Sequence, residues 1–148
     1  MNDLTNILSD YERYRHALRT INERNKATLF KALAAANITE VHVSFDGEGD
    51  SGQIEGVIAF TGGERIEVPK ATVTIRELGW GKTKPKKTQT ALKEAIEILC
   101  YGYLADEHDG WENNDGAHGE FRFDVAKRTV ELEFNGRYTD TFTSNHSF

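Results

Sequence analysis

Cysteine is almost missing from this chain. Cys100 stands alone among 148 residues, so no disulfide can form within one molecule and no thiolate metal cluster can assemble. Placed on the apolar side of an expected helix, its thiol reads as a small buried hydrophobe and not as a nucleophile. Long hydrophobic runs are also lacking: none approaches the roughly 20 residues that span a bilayer. The start at Asn2-Asp3 has neither the basic region nor the apolar core of a secretory leader. A cytoplasmic protein without membrane association is the expectation. The charge is not extreme, since −6 gives solubility and mild repulsion from nucleic acid without making a polyanion. A content of 38% hydrophobic and 28% charged residues excludes a wholly disordered chain. The length suits one domain, residues 1–148, that buries its core unaided.

What is present begins with a helical stripe. Leu4, Ile7, Leu8, Tyr11, Tyr14, Leu18, Ile21, Leu29 and Leu33 recur at spacings of three and four, predicting an N-terminal helical segment over 1–37. The stripe keeps a seven-residue repeat through Ile21; Asn25 and Thr28 fall on its next two positions, as a polar register-setting layer or, on the favoured reading, a break. The length allows two helices bent near Asn22 to Asn25, or one long helix packing on a partner chain as a homo-oligomer. Asn2 or Thr5 can cap the start, and Asn37 after three alanines suits a left-handed stop.

Beyond Asn37 the apolar period changes to two, opening an α+β body over 38–148. Val41, Val43 and Phe45 predict one strand; Ile54, Ile58 and Phe60, on one parity, predict a second. Gly62-Gly63 turns the chain into a short run from Arg65 to Val68, which Pro69 interrupts, and Val73 and Ile75 mark a further strand. Gly79 to Lys87 reads as a basic loop, after which Thr88 or Thr90 caps a helix carrying Leu92, Ala95, Ile96, Leu99 and Tyr103 and ending near Gly110. Strands follow around Gly119 to Asp124 and Thr129 to Asn135. Asn135-Gly136 is a hairpin signal leading into a strand from Arg137 to Phe142. Most connections are too short for parallel crossovers. The expected fold class is α+β: a mainly antiparallel sheet with a long N-terminal helical segment and one central helix packed on it.

Two glycine- and acid-rich segments carry the functional interest. The first, Phe45 to Glu55, places Asp46, Glu48 and Asp50 at alternate positions, a spacing that can aim three carboxylates at magnesium or calcium. A helix-loop-helix calcium site wants glycine sixth and glutamate twelfth, where Ser51 and Val57 stand. The GDSG run around Ser51 has no companion histidine motif, so a serine hydrolase is not supported. The second segment, Asp109 to Phe121, gathers Trp111, Glu112, Asn113, Asn114, Asp115, His118 and Glu120 between glycines. Glu112 or Asp115 can serve as acid or base and His118 as proton carrier or metal ligand. Asn113, Asn114 and Asp115 can equally hold an irregular helix-to-strand connection, with Trp111 as its apolar anchor. Asp46, Glu48, Asp50, Trp111, Asn113, Asn114, Asp115 and His118 are therefore the candidate binding surface.

A third set, Lys82, Lys84, Lys86 and Lys87 beside Trp80, can contact phosphate or an acidic protein. Gly81-Lys82-Thr83 resembles the end of a phosphate-binding loop, but position 76 is arginine where the motif needs glycine.

The stretches VSFDGEGDSGQIE, ALKEAIEILCYGYL, GWENNDGAHGEFRFDVAKRTVELEFN and RYTDTFTSNHSF together resemble a family known only as a domain of unknown function, carried by bacteria, their plasmids and their phages. The resemblance spans roughly Glu40 to Phe148 and implies a cytosolic protein of bacterial or mobile-element origin. It implies no activity and no catalytic residues. The residues themselves show no complete catalytic set, which favours a non-enzymatic interaction protein, an inhibitor or adaptor with a protein partner and no cofactor. The alternative is a magnesium- or calcium-dependent hydrolase-like enzyme whose site lies between the two loops. Nucleic acid is a weaker candidate partner.

Overall fold

The computed structural model describes residues 3–79, 82 and 84–148, with side chains from Ser9 onward. The N-terminal stripe forms one unbroken helix, α1 (Asp3–Ala35). Of the two arrangements the length allows, the one bent near Asn22 to Asn25 does not form; the Asn25 side chain bonds to the backbone of Arg76 without disturbing the helix. Asn25 and Asn22 are buried. The cap expected at Asn2 or Thr5 lies outside the described residues and side chains. At the other end the Asn37 stop forms as expected, with φ 61°. Ile38 N–H reaches Leu33 O and Asn37 N–H reaches Ala34 O, both at 3.0 Å. That pairing satisfies the last carbonyls of the helix and turns Ile38 and Leu33 into the core.

Six strands and a second helix follow the first strand: β1 (Glu40–Glu48), β2 (Ser51–Thr61), β3 (Glu64–Ile66), β4 (Thr72–Glu77), β5 (Lys86–Ala91), α2 (Leu92–Glu107), β6 (Ala117–Asp124) and β7 (Thr129–Gly136). Five strands form an antiparallel sheet in the order β3-β2-β1-β6-β7, and β4 and β5 form a separate two-stranded ribbon. The α+β class and the mainly antiparallel pairing agree with the sequence pattern. One sheet face is the core: Val41, Val43, Phe45, Phe121 and Phe123 meet Leu29, Phe30 and Leu33 of α1 and Leu92, Ile96, Leu99 and Leu104 of α2. Cys100 is buried among them, and burial pushes its thiol well above the ordinary range, as an inert packing residue requires. The opposite face carries Glu40, His42, Glu120 and Arg122, with His42 against Phe60 and between Glu40 and Glu120.

Three expectations change. The parity of Ile54, Ile58 and Phe60 is split by a bulge: Ser44 pairs with Gly56 but Phe45 pairs with Ile54, skipping Glu55. Ile54 therefore joins Val57 and Ala59 on the core face, while Ile58 and Phe60 turn outward. The end of the lysine loop is strand, not loop, and Thr88 and Thr90 are ribbon residues instead of caps. Thr90 is buried opposite Val73, and the chain passes from β5 into α2 with no side-chain cap at Ala91. Threonines suit the pleated ribbon, an attraction that the flanking lysines and glutamine hid. Finally, no hairpin forms at Asn135-Gly136 and Arg137 to Phe142 is not a strand. The last hairpin instead turns at residues 125–128, where Arg128 has φ 55° and Asp124 accepts from Lys127 N–H. No helix among the described residues is long and apolar enough to cross a membrane.

Candidate functional site

The two glycine- and acid-rich segments meet. The first is the β1–β2 hairpin, reversed at Gly49 and Asp50. The second links α2 to β6 through successive tight turns, with Trp111 N–H to His108 O, Asn113 N–H to Gly110 O and Gly116 N–H to Asn113 O, each at 3.0 Å. Asn114, at φ 59°, takes the left-handed conformation that asparagine tolerates. Its carbonyl accepts from Gly49 N–H at 2.9 Å, joining the two segments backbone to backbone.

Glycines make that approach possible. The Trp111 ring lies across the hairpin, where a Cβ on Gly52 would stand 2.6 Å from its Cη2 and one on Gly47 2.7 Å from its Cζ3. Its indole meets the Phe45 ring edge-on, with centroids 5.3 Å apart, and so extends the core to the end of the sheet. The anchoring role expected of Trp111 is therefore a tryptophan seated on two glycines.

Arg137 closes the joint, and sequence reasoning missed it. Its guanidinium Nη1 lies 2.9 Å from Asp46 Oδ1 and donates to Gly47 O at 3.1 Å, while its backbone N–H donates to Gly116 O at 2.9 Å. One residue thus grips both segments. The hydrogen bond from Arg137, reinforced by its charge and by that of His118, holds the Asp46 carboxyl below the usual carboxylate range; Asp46 in turn raises the guanidinium. The only sequence signal was an arginine directly after a strand, read there as the far side of a hairpin.

The remaining candidates sort by exposure. His118 stands directly across the β1–β6 ladder from Asp46. Asp115 accepts from the Thr139 hydroxyl at 2.7 Å. Glu48, Asp50, Asn113 and Asn114 are exposed at the tip. Between them and the outgoing chain lies a depression of ≈ 570 Å³ lined by Glu48, Gly49, Asn114, Asp115, Arg137, Tyr138 and Thr139. Among the described residues no group of three or more His, Cys, Asp or Glu side chains is placed to hold a metal. The lysines belong elsewhere. Lys86 and Lys87 are in β5, opposite Glu77 and Arg76, on the ribbon that packs against α1 and α2. Lys82 and Lys84 are described and exposed, whereas Trp80, Gly81 and Thr83 lie outside the described residues.

Residues 21–148 match a family of unknown function, DUF6878. The chain belongs to that family. The match starts inside α1 and runs to Phe148, so both segments, Arg137 and the terminal residues all fall within it. Family membership brings no assigned activity. No curated protein and no solved structure matches the chain.

Proposed function

We propose that this DUF6878 protein is a non-enzymatic interaction protein of bacterial or mobile-element origin, an inhibitor or adaptor that engages a protein partner through the end of the sheet where the two segments meet. The observation that supports this reading is the division of labour within the joint. Two of the carboxylates that could do chemistry are committed to architecture, Asp46 to Arg137 and Asp115 to Thr139, and the hairpin glycines are committed to Trp111. Glu48, Asp50, Asn113 and Asn114 are left exposed on a support held by backbone bonds and an aromatic anchor. Exposed polar groups on a rigid scaffold suit recognition, because little ordering entropy is lost on binding. Carboxylates at the tip favour a partner surface rich in cationic and amide donors.

The test is affinity purification from the native host with the full chain and with a Glu48→Lys/Asp50→Lys variant. A stoichiometric protein captured by the first and lost by the second supports the reading. Capture of nucleic acid alone, or equal capture by both, argues against it. Titration calorimetry with magnesium and with calcium addresses the metal-dependent alternative, for which binding abolished by Asp46→Asn is the required result.

A further inference from the structure

The last residues of the chain carry a strand pattern with no sheet to receive it. RYTDTFTSNHSF, residues 137–148, is rich in threonine and aromatics, with Tyr138, Phe142 and Phe148 on one parity and Thr139, Thr141 and Thr143 on the other. Yet the segment forms no strand, and its three rings are exposed at 85%, 94% and 118%. Three exposed rings in one short segment are apolar surface that a partner can cover. The family match includes this segment, so it is not an extension peculiar to one chain.

The outer edge of β7 has the complementary deficiency. Among the described residues no strand pairs with it beyond β6, and its register with β6 is unbroken from Thr129 to Gly136. The Arg137 N–H to Gly116 O bond sets the antiparallel alternation, which turns the backbone groups of Val130, Leu132 and Phe134 away from β6. Those same side chains pack on the core but are only half-buried. The edge has no lysine, proline or bulge to blunt it.

We infer that residues 140–148 of one molecule add as a strand to the β7 edge of a second copy, forming a reciprocally exchanged dimer. The donor is long enough to span the eight residues of β7. The parity that carries Phe142 and Phe148, together with Asp140, Ser144 and His146, would lie over Val130, Leu132 and Phe134, while the uncharged Thr141 and Thr143 would lie beside Glu131 and Glu133 without like-charge repulsion. A second copy is the favoured acceptor because the root of the segment is held. Arg137 bonds to Asp46, Gly47 and Gly116 and Thr139 to Asp115, which lead the chain past the end of β7 toward the neighbouring loops. Folding back onto its own β7 would require the chain to reverse directly after the Thr139 anchor. Two-fold exchange covers both edges at once and closes the assembly.

Sedimentation velocity over a concentration series, with hydrogen exchange read at Val130, Leu132 and Phe134, tests the proposal. The full chain is expected to pass from monomer to dimer with those amides becoming protected. Phe142→Asp/Phe148→Asp alters only exposed side chains; it should keep the melting temperature that the parent shows when dilute and monomeric, and remain monomeric at concentrations where the parent is dimeric. A synthetic peptide of residues 139–148 should restore protection to that variant. A full chain that is monomeric throughout, or a dimer that the double variant retains, overturns the proposal. Neither outcome bears on the hetero-partner reading above, which rests on the hairpin tip.

Discussion

The Asn25 side chain pairs with the backbone of Arg76 as a neighbouring strand would: its Nδ2 donates to Arg76 O and its Oδ1 accepts from Arg76 N–H, both at 2.9 Å. A single amide on α1 thereby completes the edge of β4 and fixes the ribbon on the helix. Replacing Asn25 by alanine removes both bonds from a buried side chain. The expected loss is about 2 kcal/mol, the low end for two backbone groups at roughly 1–3 kcal/mol each, because Arg76 is only half-buried. Asn25→Asp keeps the acceptor but sets a carboxylate against a carbonyl oxygen. Its unfolding midpoint in urea should lie below that of the parent at neutral pH and recover as acid protonates the new side chain, restoring a donor.

That pair also shows what the sequence could and could not disclose. The helical stripe, its Asn37 stop, the period-two strands and the α+β class were legible because each depends on local periodicity or on one residue's backbone preference. The polar break at Asn25 was visible too, but its meaning was not. Its partner lies 51 residues away and offers only main-chain atoms, which leave no signature in residue types. The same limit hid Arg137, whose contacts at Gly47 and Gly116 are carbonyl oxygens. The bulge at Ser44/Phe45 altered parity in β2 without any marker that distinguishes it from a regular strand containing glycine. At the candidate site, Trp111 as an apolar anchor was readable, but that Gly47 and Gly52 would seat its ring was not. Whether the two segments met depended on the β1–β6 pairing, which no local pattern specifies.

Gly52 and Trp111 should behave as a coupled pair. A methyl group on Gly52 would stand 2.6 Å from the indole and 2.7 Å from Glu112 Cβ, so Gly52→Ala must displace the ring or the loop. Overpacking of this kind costs roughly 1–3 kcal/mol. Trp111→Ala should be destabilising alone through loss of its contact with Phe45. In that background the further cost of Gly52→Ala should shrink to the part due to Glu112. Urea denaturation of the parent, both single variants and the double variant closes the cycle. Additive costs would show that the tryptophan does not occupy the glycine surface.

The Asp46–Arg137 pair predicts a direction for stability against pH. The carboxyl is held below its free value of 3.8, chiefly by the hydrogen bond from Arg137. A group depressed on folding contributes stability that is complete above its unfolded pKa and is lost as pH falls through the folded value. Parent and Asp46→Asn proteins should therefore differ most in urea midpoint above pH 3.8 and converge at more acid values. Both partners are partly exposed, so the difference should also shrink in high salt. A gap that widened on acidification would contradict the assignment.

The acidic hairpin tip and the lysine-bearing ribbon are separate surfaces, and one pair of variants decides which of them meets a partner. Glu48 and Asp50 are exposed at the hairpin, and Lys86 and Lys87 are exposed on β5. Neither substitution set touches the core, so Glu48→Lys/Asp50→Lys and Lys86→Glu/Lys87→Glu should each change stability by only about 0.5 kcal/mol or less. If the tip carries recognition, the first variant slows association with the captured partner and weakens its salt dependence, since rim charges act mainly on encounter. The second should leave both rates near those of the parent. A reversed result, with association lost only in the β5 variant, would move the interface to the ribbon and point to an acidic protein or a phosphate backbone as its ligand.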